Sequence, residues 1–297
     1  MTCPTEGGFA RLSTHHRSIT VMQPSLLLGR DTHRELADLL RKEGELTVSG
    51  ASNETAKALL LSHLLNFGEP RRVLLVTENP SMAEGLEHWL HFFGQHSHSL
   101  LHPGAEGATV ECLQGFAELL SPEDHRETQR KTSDIYLIDR AGYNLDFPSY
   151  HAMAKKEVTL RVGEEVPFTQ LVESLLGMGY SHGQDLVLAP GEYRRIGDTL
   201  DIFPVQFDSP FRVSFDFDVV RNIVRIDRVD LSVTHPAGDR LHVLPAQWDE
   251  EMHIADQLPE DVLVVFDDQD DLQPLEENDT LSFTSFPEGS RFHSHLR

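Results

Sequence analysis

The chain has few cysteines, few basic residues and no long apolar run, and each shortage excludes a class of protein. Its 297 residues include two cysteines, Cys3 and Cys112, which are too few for a disulfide framework and lack the spacing of metal ligands. No window approaches the roughly 20 apolar residues of a membrane-spanning helix. The N-terminus has no basic segment followed by an apolar run, so no secretory signal is expected. We therefore expect a cytoplasmic protein with no membrane association.

Acidic residues outnumber basic residues almost two to one. The chain has 25 Lys and Arg against 48 Asp and Glu, which gives a formal net charge of -23. Nucleic-acid-binding proteins usually carry a basic face, because neutralising phosphates supplies most of their affinity. The charge therefore argues against direct DNA binding. Acidic residues are most concentrated after Gln247. A hydrated acidic surface explains them more simply than a binding site for a basic partner.

Alternating strand and helix patterns before residue 155 predict an α/β domain. Arg72–Thr77 is a continuous apolar strand of the type found in parallel sheets. Asn79 and Pro80 then provide a cap and a first-turn proline for a helix. Similar strand patterns occur at Leu46–Ser49 and Asp134–Ile138, with helical patterns between them. This regularity predicts three layers around a mostly parallel sheet.

The pattern changes near Lys155 to short strands and tight turns. In Phe211–Phe217 apolar and polar residues alternate, which is typical of a strand with one buried face and one solvent-exposed face. A helix is expected to begin at Pro167. These features predict a small α+β domain with one helix on an antiparallel sheet. After Leu231 the buried-strand pattern returns, most clearly at Val262–Phe266.

These patterns divide the chain into five parts. We expect a loose N-terminal leader and an α/β domain in two pieces, with an α+β domain inserted between the pieces. An acidic and weakly ordered tail is expected at the end. The predicted ranges are 1–24 for the leader, 25–155 and 231–272 for the two pieces, 156–230 for the insertion and 273–297 for the tail.

The most specific pattern in the chain is PGEYRRIGDTLDIFP at Pro190–Pro204. Pro190-Gly191 opens a turn, and Gly197-Asp198 suits a two-residue hairpin loop. The pattern resembles the signature of the interaction domain shared by UvrB and the bacterial transcription-repair coupling factor. Further segments follow at the family's spacing: Leu160–Gly163, Gly177–Tyr180, Phe211–Phe215, Arg225–Asp227, Leu244–Ala246 and Leu258–Asp267.

The resemblance extends over about 220 residues. This part of the chain is similar to the N-terminal module of the coupling factor (Mfd). The resemblance implies a helicase-like α/β domain with a degenerate phosphate loop, interrupted by a small α+β domain of the UvrB-interaction type. In this family the inserted domain binds UvrA. The family's DNA-translocating motor is not found, so the resemblance implies either a stand-alone module, with a translocase encoded separately, or a fragment. An aromatic-rich hairpin of the kind with which UvrB reaches DNA is also not found.

The resemblance points to partner-binding residues in the strand pair around the signature. Arginine suits interfaces because its planar group pairs with carboxylates through two hydrogen bonds. Tyr193, Arg194 and Arg195 are accordingly the candidate contacts with UvrA. Two residues depart from the family pattern, since Ile196 replaces an arginine and Ser181 replaces a residue that is often basic. Asp216-Phe217 also replaces the usual Phe-Gly before the next turn.

A phosphate-binding loop is the main candidate for chemistry, and its key residues are replaced. Such a loop needs glycines, a lysine for the phosphates and a hydroxyl for Mg²⁺, between a strand and a helix. Gly50 fits the first glycine. Thr55, Ala56 and Lys57 stand where the second glycine, the lysine and the hydroxyl belong. We therefore expect no nucleotide, no other cofactor and no catalysis.

Two other acidic or histidine-rich features have simple interpretations. Asp267-Asp268 resembles the acidic helicase motif that holds Mg²⁺, and we expect an acidic loop after a strand. The 17 histidines include close pairs such as His96 and His98. No cysteine or carboxylate cluster completes a tetrahedral site at a usual spacing, so no metal is expected.

The sequence thus favours a non-catalytic protein-interaction module linked to nucleotide excision repair, with UvrA as its partner. Two alternatives stay open. One is a fragment of an ATP-dependent DNA helicase or translocase. The other is a diverged scaffold whose partner is not UvrA and binds through the acidic segment.

Overall fold

The computed structural model describes residues 9–14, 17–22, 38–67, 70–100, 108–121, 133–185, 187–267 and 278–284. The chain folds as two compact units. The first is built from the described parts of Met1–Ala105, Arg130–Asn144 and Leu258–Arg297, and the second from those of Glu106–Gln129 and Leu145–Gln257.

The described strands, in chain order, are β1 (Phe9–Thr14), β2 (Arg17–Met22), β3 (Glu45–Ser49), β4 (Arg72–Thr77), β5 (His96–Ser99), β6 (Asp134–Asp139), β7 (Asp146–Pro148), β8 (Val158–Arg161), β9 (Ser181–His182), β10 (Glu192–Ile196), β11 (Thr199–Phe203), β12 (Phe211–Asp216), β13 (Val219–Ile226), β14 (Val233–Pro236), β15 (Arg240–Val243), β16 (Glu251–His253), β17 (Leu263–Phe266) and β18 (Thr280–Thr284). The helices are α1 (Glu54–Phe67), α2 (Pro80–Phe92), α3 (Leu113–Leu120), α4 (Arg140–Tyr143), α5 (Tyr150–Lys155) and α6 (Phe168–Gly177), and residues 38–43 are also helical. None of the helices in these ranges is long and apolar enough to cross a bilayer.

The first unit contains an eight-stranded sheet in the order β2-β1-β3-β18-β17-β4-β6-β5. The six strands from β3 to β5 in this order are parallel, and the β1–β2 hairpin adds antiparallel strands at the edge. Every residue of β4 and of β17 is buried, as expected for strands covered on both faces. The predicted α/β domain with a mostly parallel sheet is confirmed.

Helices α1 and α2 pack against this sheet and against each other. Leu61 and Leu64 of α1 and Leu86 and Leu90 of α2 are buried in one apolar core with strand residues. Helix α2 begins as predicted, because the Asn79 side chain accepts a hydrogen bond from the backbone N–H of Met82 at 3.1 Å. The predicted cap therefore places the start of this helix correctly.

Two segments of the first unit differ from expectation. The predicted loose leader contains the β1–β2 hairpin, and the predicted weakly ordered tail contains β18, in which four of five residues are buried. Strand β18 lies between β3 and β17 and takes hydrogen bonds on both sides. Strand β18 is held by pairing with strands distant in sequence, whereas β1 and β2 pair with each other and β1 also pairs with β3.

The second unit has its own six-stranded sheet in the order β14-β13-β12-β11-β10-β9. Strands β10 to β14 form an antiparallel meander, and β9 pairs parallel with β10, so the sheet is mixed. Helix α6 contacts this sheet through Phe168, whose ring meets that of Phe215 edge to face at 5.6 Å. The predicted inserted domain, with one helix and a separate sheet, is confirmed.

Two short ribbons extend the second unit beyond the range drawn from the sequence. Strand β8 pairs with β15, and β7 pairs with β16. Tyr180 ties the later segment to the sheet, because its hydroxyl donates to the Leu244 carbonyl at 2.8 Å and accepts from the Val205 N–H at 3.3 Å. Burial raises the pKa of the Tyr180 hydroxyl well above its ordinary value. The unit continues to residue 257, past the limit of 230 expected from the strand patterns.

Candidate docking surface

The signature segment folds into the β10–β11 hairpin with a two-residue turn. Ile196 pairs with Thr199, and the Thr199 hydroxyl donates to the Ile196 carbonyl at 2.8 Å. Gly197 has a φ of 60°, a left-handed conformation that glycine adopts without steric cost. Gly191 at the start of the hairpin has a φ of 83°, and a Cβ there would lie 3.3 Å from that of Ala246. The two glycines therefore fix where the hairpin begins and where it turns.

Strand alternation divides the three predicted contact residues between two faces. Tyr193 and Arg195 project to one face, and Arg194 projects to the other. Tyr193 is only 5% exposed, and its ring meets that of His182 edge to face at 5.7 Å. Its side chain therefore belongs to the packed interior of the unit rather than to its surface.

Arg195 is exposed and ordered by contacts within its own unit. Its guanidinium lies 4.0 Å from the centre of the Phe168 ring, and its Nε donates to the Gly197 carbonyl at 3.1 Å. A cation over an aromatic face at an exposed site contributes about 0.5–1 kcal/mol. These contacts fix the Arg195 guanidinium at the exposed end of the hairpin.

Arg194 lies on the opposite face in a network around a buried carboxylate. Asp201 is fully buried and accepts two hydrogen bonds from Arg212, at 2.7 Å and 2.8 Å. Arg194 lies 3.6 Å from the same carboxylate and donates to the Asp185 carbonyl at 2.8 Å. The hydrogen bonds with Asp201 raise the pKa of the Arg212 guanidinium. The aspartate of the signature is therefore structural, and it holds two arginines at the sheet surface.

The structure adds residues that the signature alone did not reveal. Arg212 is found only once the strand register places it opposite Asp201. Phe168 lies 27 residues before Arg195 and supports it from the helix. The replacement of glycine by Phe217 was visible in the sequence, but its exposure of 94% was not.

The degenerate phosphate loop lies in the first unit, between β3 and α1. Gly50 has a φ of 91°, and the Asn53 side chain accepts from the Ala56 N–H at 2.9 Å to begin the helix. Lys57 is 3% exposed and forms an ion pair with the fully buried Asp267 at the end of β17. Asp267, expected in an acidic loop, is thus a buried partner of Lys57. One replaced position of the loop, Lys57, and the first aspartate of the acidic motif, Asp267, therefore form one internal contact.

Comparisons with known proteins agree with the resemblance. Residues 158–248 match the UvrB interaction domain family. The chain is 27% identical to the UvrABC system protein B of Cyanothece sp. over 242 residues, which cover 80% of this chain and 33% of that protein. It is 25% identical to the transcription-repair-coupling factor of Staphylococcus haemolyticus over 189 residues, or 63% of this chain and 16% of that protein. The chain is also 35% identical to the UvrABC system protein B of Thermotoga neapolitana over 92 residues, which cover 31% of this chain and 14% of that protein.

The matched parts are small fractions of the relatives. The chain spans about a third of the length of the Cyanothece relative and less of the others. It contains a UvrB interaction domain and is distantly homologous over most of its length to UvrB and to the transcription-repair coupling factor.

Proposed function

From the UvrB interaction domain at residues 158–248, we propose that the chain is a docking module of nucleotide excision repair, with a UvrA-type protein as its partner. The module is non-catalytic and uses no cofactor. The observation that carries the proposal is the exposed Arg195, fixed over Phe168 at the end of the signature hairpin. A separately encoded translocase, the cytoplasmic location and the lack of direct DNA contact stay predictions.

The hairpin offers two arginines suited to carboxylates on a partner. Arg195 is ordered before binding, so little conformational entropy would be lost on contact. Arg194 is 15% exposed and stays linked to Asp201, so it contributes at the margin of the contact. Tyr193 supports both by packing beneath the strand. We therefore rank Arg195 first, Arg194 second and Tyr193 as an indirect contributor.

The contact between Lys57 and Asp267 supports a non-catalytic role. A nucleotide site needs a lysine directed at phosphates and an acid available to Mg²⁺. Here a lysine and an acid at related positions bind each other and are almost completely buried. Both groups would have to be separated and rehydrated before they could serve a nucleotide.

Binding to UvrA tests the partner. With UvrA immobilised, the dissociation constant is measured for the wild type, Arg195→Ala and the double variant Arg194→Ala with Arg195→Ala. We expect at least tenfold weaker binding for the single variant and a larger loss for the double variant. Arg161→Ala, an exposed arginine of β8 in the same unit, is the matched control and should bind like the wild type. Lack of wild-type binding, or equal loss in the control, would refute the partner assignment.

Thermal unfolding with and without Mg-ATP tests the non-catalytic assignment. A ligand that binds the folded state at 100 times its dissociation constant adds about 2.7 kcal/mol of stability. We expect no shift in melting temperature at millimolar Mg-ATP. A reproducible upward shift that Lys57→Met abolishes would instead support the helicase-fragment alternative.

A further inference from the structure

The turn between β12 and β13 presents a large aromatic side chain to solvent. Phe217 and Asp218 form a two-residue loop between the paired residues Asp216 and Val219. The Phe217 side chain is 94% exposed. Its φ is 56°, and Asp218 has no positive φ, a pattern typical of type II′ turns, whose first central position favours glycine.

Stability does not explain a phenylalanine at this position. A bulky residue in the left-handed region is strained, and an exposed ring adds nothing to the core. Residues kept in such conformations occur preferentially at functional sites, where surrounding contacts enforce them. Those contacts are present here. The Asp218 carbonyl accepts from the Val166 N–H at 2.6 Å, and the Asp218 side chain accepts from the Phe168 N–H at 3.3 Å.

A second exposed apolar residue lies at the same end of the sheet. Ile196 is 48% exposed and ends β10, next to the turn of the β10–β11 hairpin. The Phe215 N–H donates to the Asp198 carbonyl at 2.8 Å, which ties this turn to β12. Strands in a sheet are about 4.8 Å apart, so the two tips are separated by about 10–15 Å. We call Ile196 and Phe217, the exposed apolar residues at these two tips, the hairpin-tip surface.

The border of the hairpin-tip surface is acidic. Glu165 is bridged to Val219, and the Glu164 carbonyl accepts from the Val220 N–H at 3.0 Å, so both lie beside the start of β13. Both side chains are exposed, as are those of Asp198 and Asp216 in the two hairpins. Arg221 offsets Asp216 by an ion pair, and the exposed Arg195 adds a second positive charge. The apolar tips therefore have a predominantly negative surround.

We propose that Phe217 and Ile196 are apolar anchors that enter a recess on the UvrA-type partner, and that lysines or arginines line the rim of this recess. The proposal rests on the proposed function and specifies its chemistry. Aromatic side chains that fill a pocket within a ring of weaker contacts dominate the energy of many interfaces. An acidic border fits a basic rim and would speed association at low salt.

The test compares Phe217→Gly with Phe92→Ala in binding to immobilised UvrA. Phe92 is 71% exposed on helix α2 of the first unit, so its removal controls for loss of an exposed aromatic ring. We expect at least tenfold weaker binding for Phe217→Gly and unchanged binding for Phe92→Ala. Glycine relieves the strained φ, and Phe217→Asn provides a second variant that tolerates it. A threefold or smaller effect of both Phe217 variants would overturn the anchor role.

The remaining outcomes separate the two proposals. If the wild type binds and Arg195→Ala weakens binding while Phe217→Gly does not, docking stands and the anchors are refuted. If the wild type does not bind UvrA, the proposed function fails, and the anchor proposal fails with it. The basic rim predicts that raising salt from 50 to about 500 mM slows association of the wild type. Association that does not change with salt would refute the rim.

Discussion

The two units each contain a buried aspartate that pairs with basic side chains, and the two pairs differ in exposure. In the first unit Asp267 and Lys57 are 0% and 3% exposed, so the pair is sealed from solvent. In the second unit Asp201 is also 0% exposed, but Arg212 and Arg194 are 27% and 15% exposed. The sealed pair satisfies both its charges internally. The open pair holds arginines at a surface, where they remain within reach of a partner.

This difference agrees with a degenerate phosphate loop in one unit and an interaction domain in the other. The sealed pair lies where a nucleotide site would be expected, and the open pair lies in the UvrB interaction domain. Under the proposed function, the α/β unit is structural and the inserted sheet binds the partner. The following predictions test it, beginning with the largest expected effect.

Breaking the sealed pair should cause the largest loss of stability. Lys57→Met leaves the Asp267 carboxylate buried without its cation, which typically costs 3–5 kcal/mol. The free energy of unfolding is measured by urea titration. The double variant Lys57→Met with Asp267→Leu should recover most of this loss, because it removes both members of the buried ion pair. A cost below about 1 kcal/mol for the single variant would show that the pair is not sealed in solution.

Breaking the open pair should cost less. Asp201→Asn removes the carboxylate that accepts two hydrogen bonds from Arg212, but the arginines can turn partly into water. We expect a loss of about 2 kcal/mol in the same urea titration. Asp198→Asn, at an exposed position of the adjacent turn, is the control and should stay within about 0.5 kcal/mol. A loss as large as that of Lys57→Met would remove the distinction between the two pairs.

Tyr180 should make the stability of the second unit dependent on alkaline pH. Burial raises the pKa of its hydroxyl above the ordinary value near 10, so the folded state keeps the proton that the unfolded state loses. The contribution of Tyr180 is therefore complete below pH 10 and is lost progressively as pH rises above it. Tyr180→Phe should cost about 1–2 kcal/mol at pH 7 and flatten the decline above pH 10. An unchanged alkaline decline would contradict the assignment.

The smallest effect should have the opposite sign. Phe217→Gly relieves a strained backbone at the β12–β13 turn and removes no buried contact, so it should raise the free energy of unfolding by about 0.5 kcal/mol. Val229→Gly is the matched control, since Val229 is 80% exposed and lacks a positive φ. That substitution should lower stability slightly. Destabilisation by Phe217→Gly would mean that the ring contributes to folding, which would weaken its assignment as an anchor.

Sequence patterns predicted the structural elements that depend on contacts between residues close together in the chain. The apolar run of β4, the Asn79 cap of α2 and the Gly197-Asp198 turn were all found where the sequence placed them. Strand β18 was missed, because its sequence TLSFT alternates hydroxyl and apolar residues over only five residues and lies in a segment of acidic composition. Its buried polar residues fit only because neighbouring strands pair with it on both sides.

The site was predicted less completely, since its properties depend on contacts distant in sequence. Lys57 and Asp267 are 210 residues apart, and no local pattern joins them. The signature placed Tyr193, Arg194 and Arg195 on one strand, but alternation and packing decide which of them reaches solvent. Tyr193 is buried, and its ring contacts His182 of strand β9, which the motif does not specify.

The most direct test of the account is one set of UvrA binding isotherms on three proteins: the wild type, Arg195→Ala, and the double variant Lys57→Met with Asp267→Leu. The account predicts that Arg195→Ala weakens binding at least tenfold, whereas the double variant binds within about twofold of the wild type. Full binding by Arg195→Ala, together with lost binding by a folded double variant, would place the docking function in the wrong unit and contradict the account.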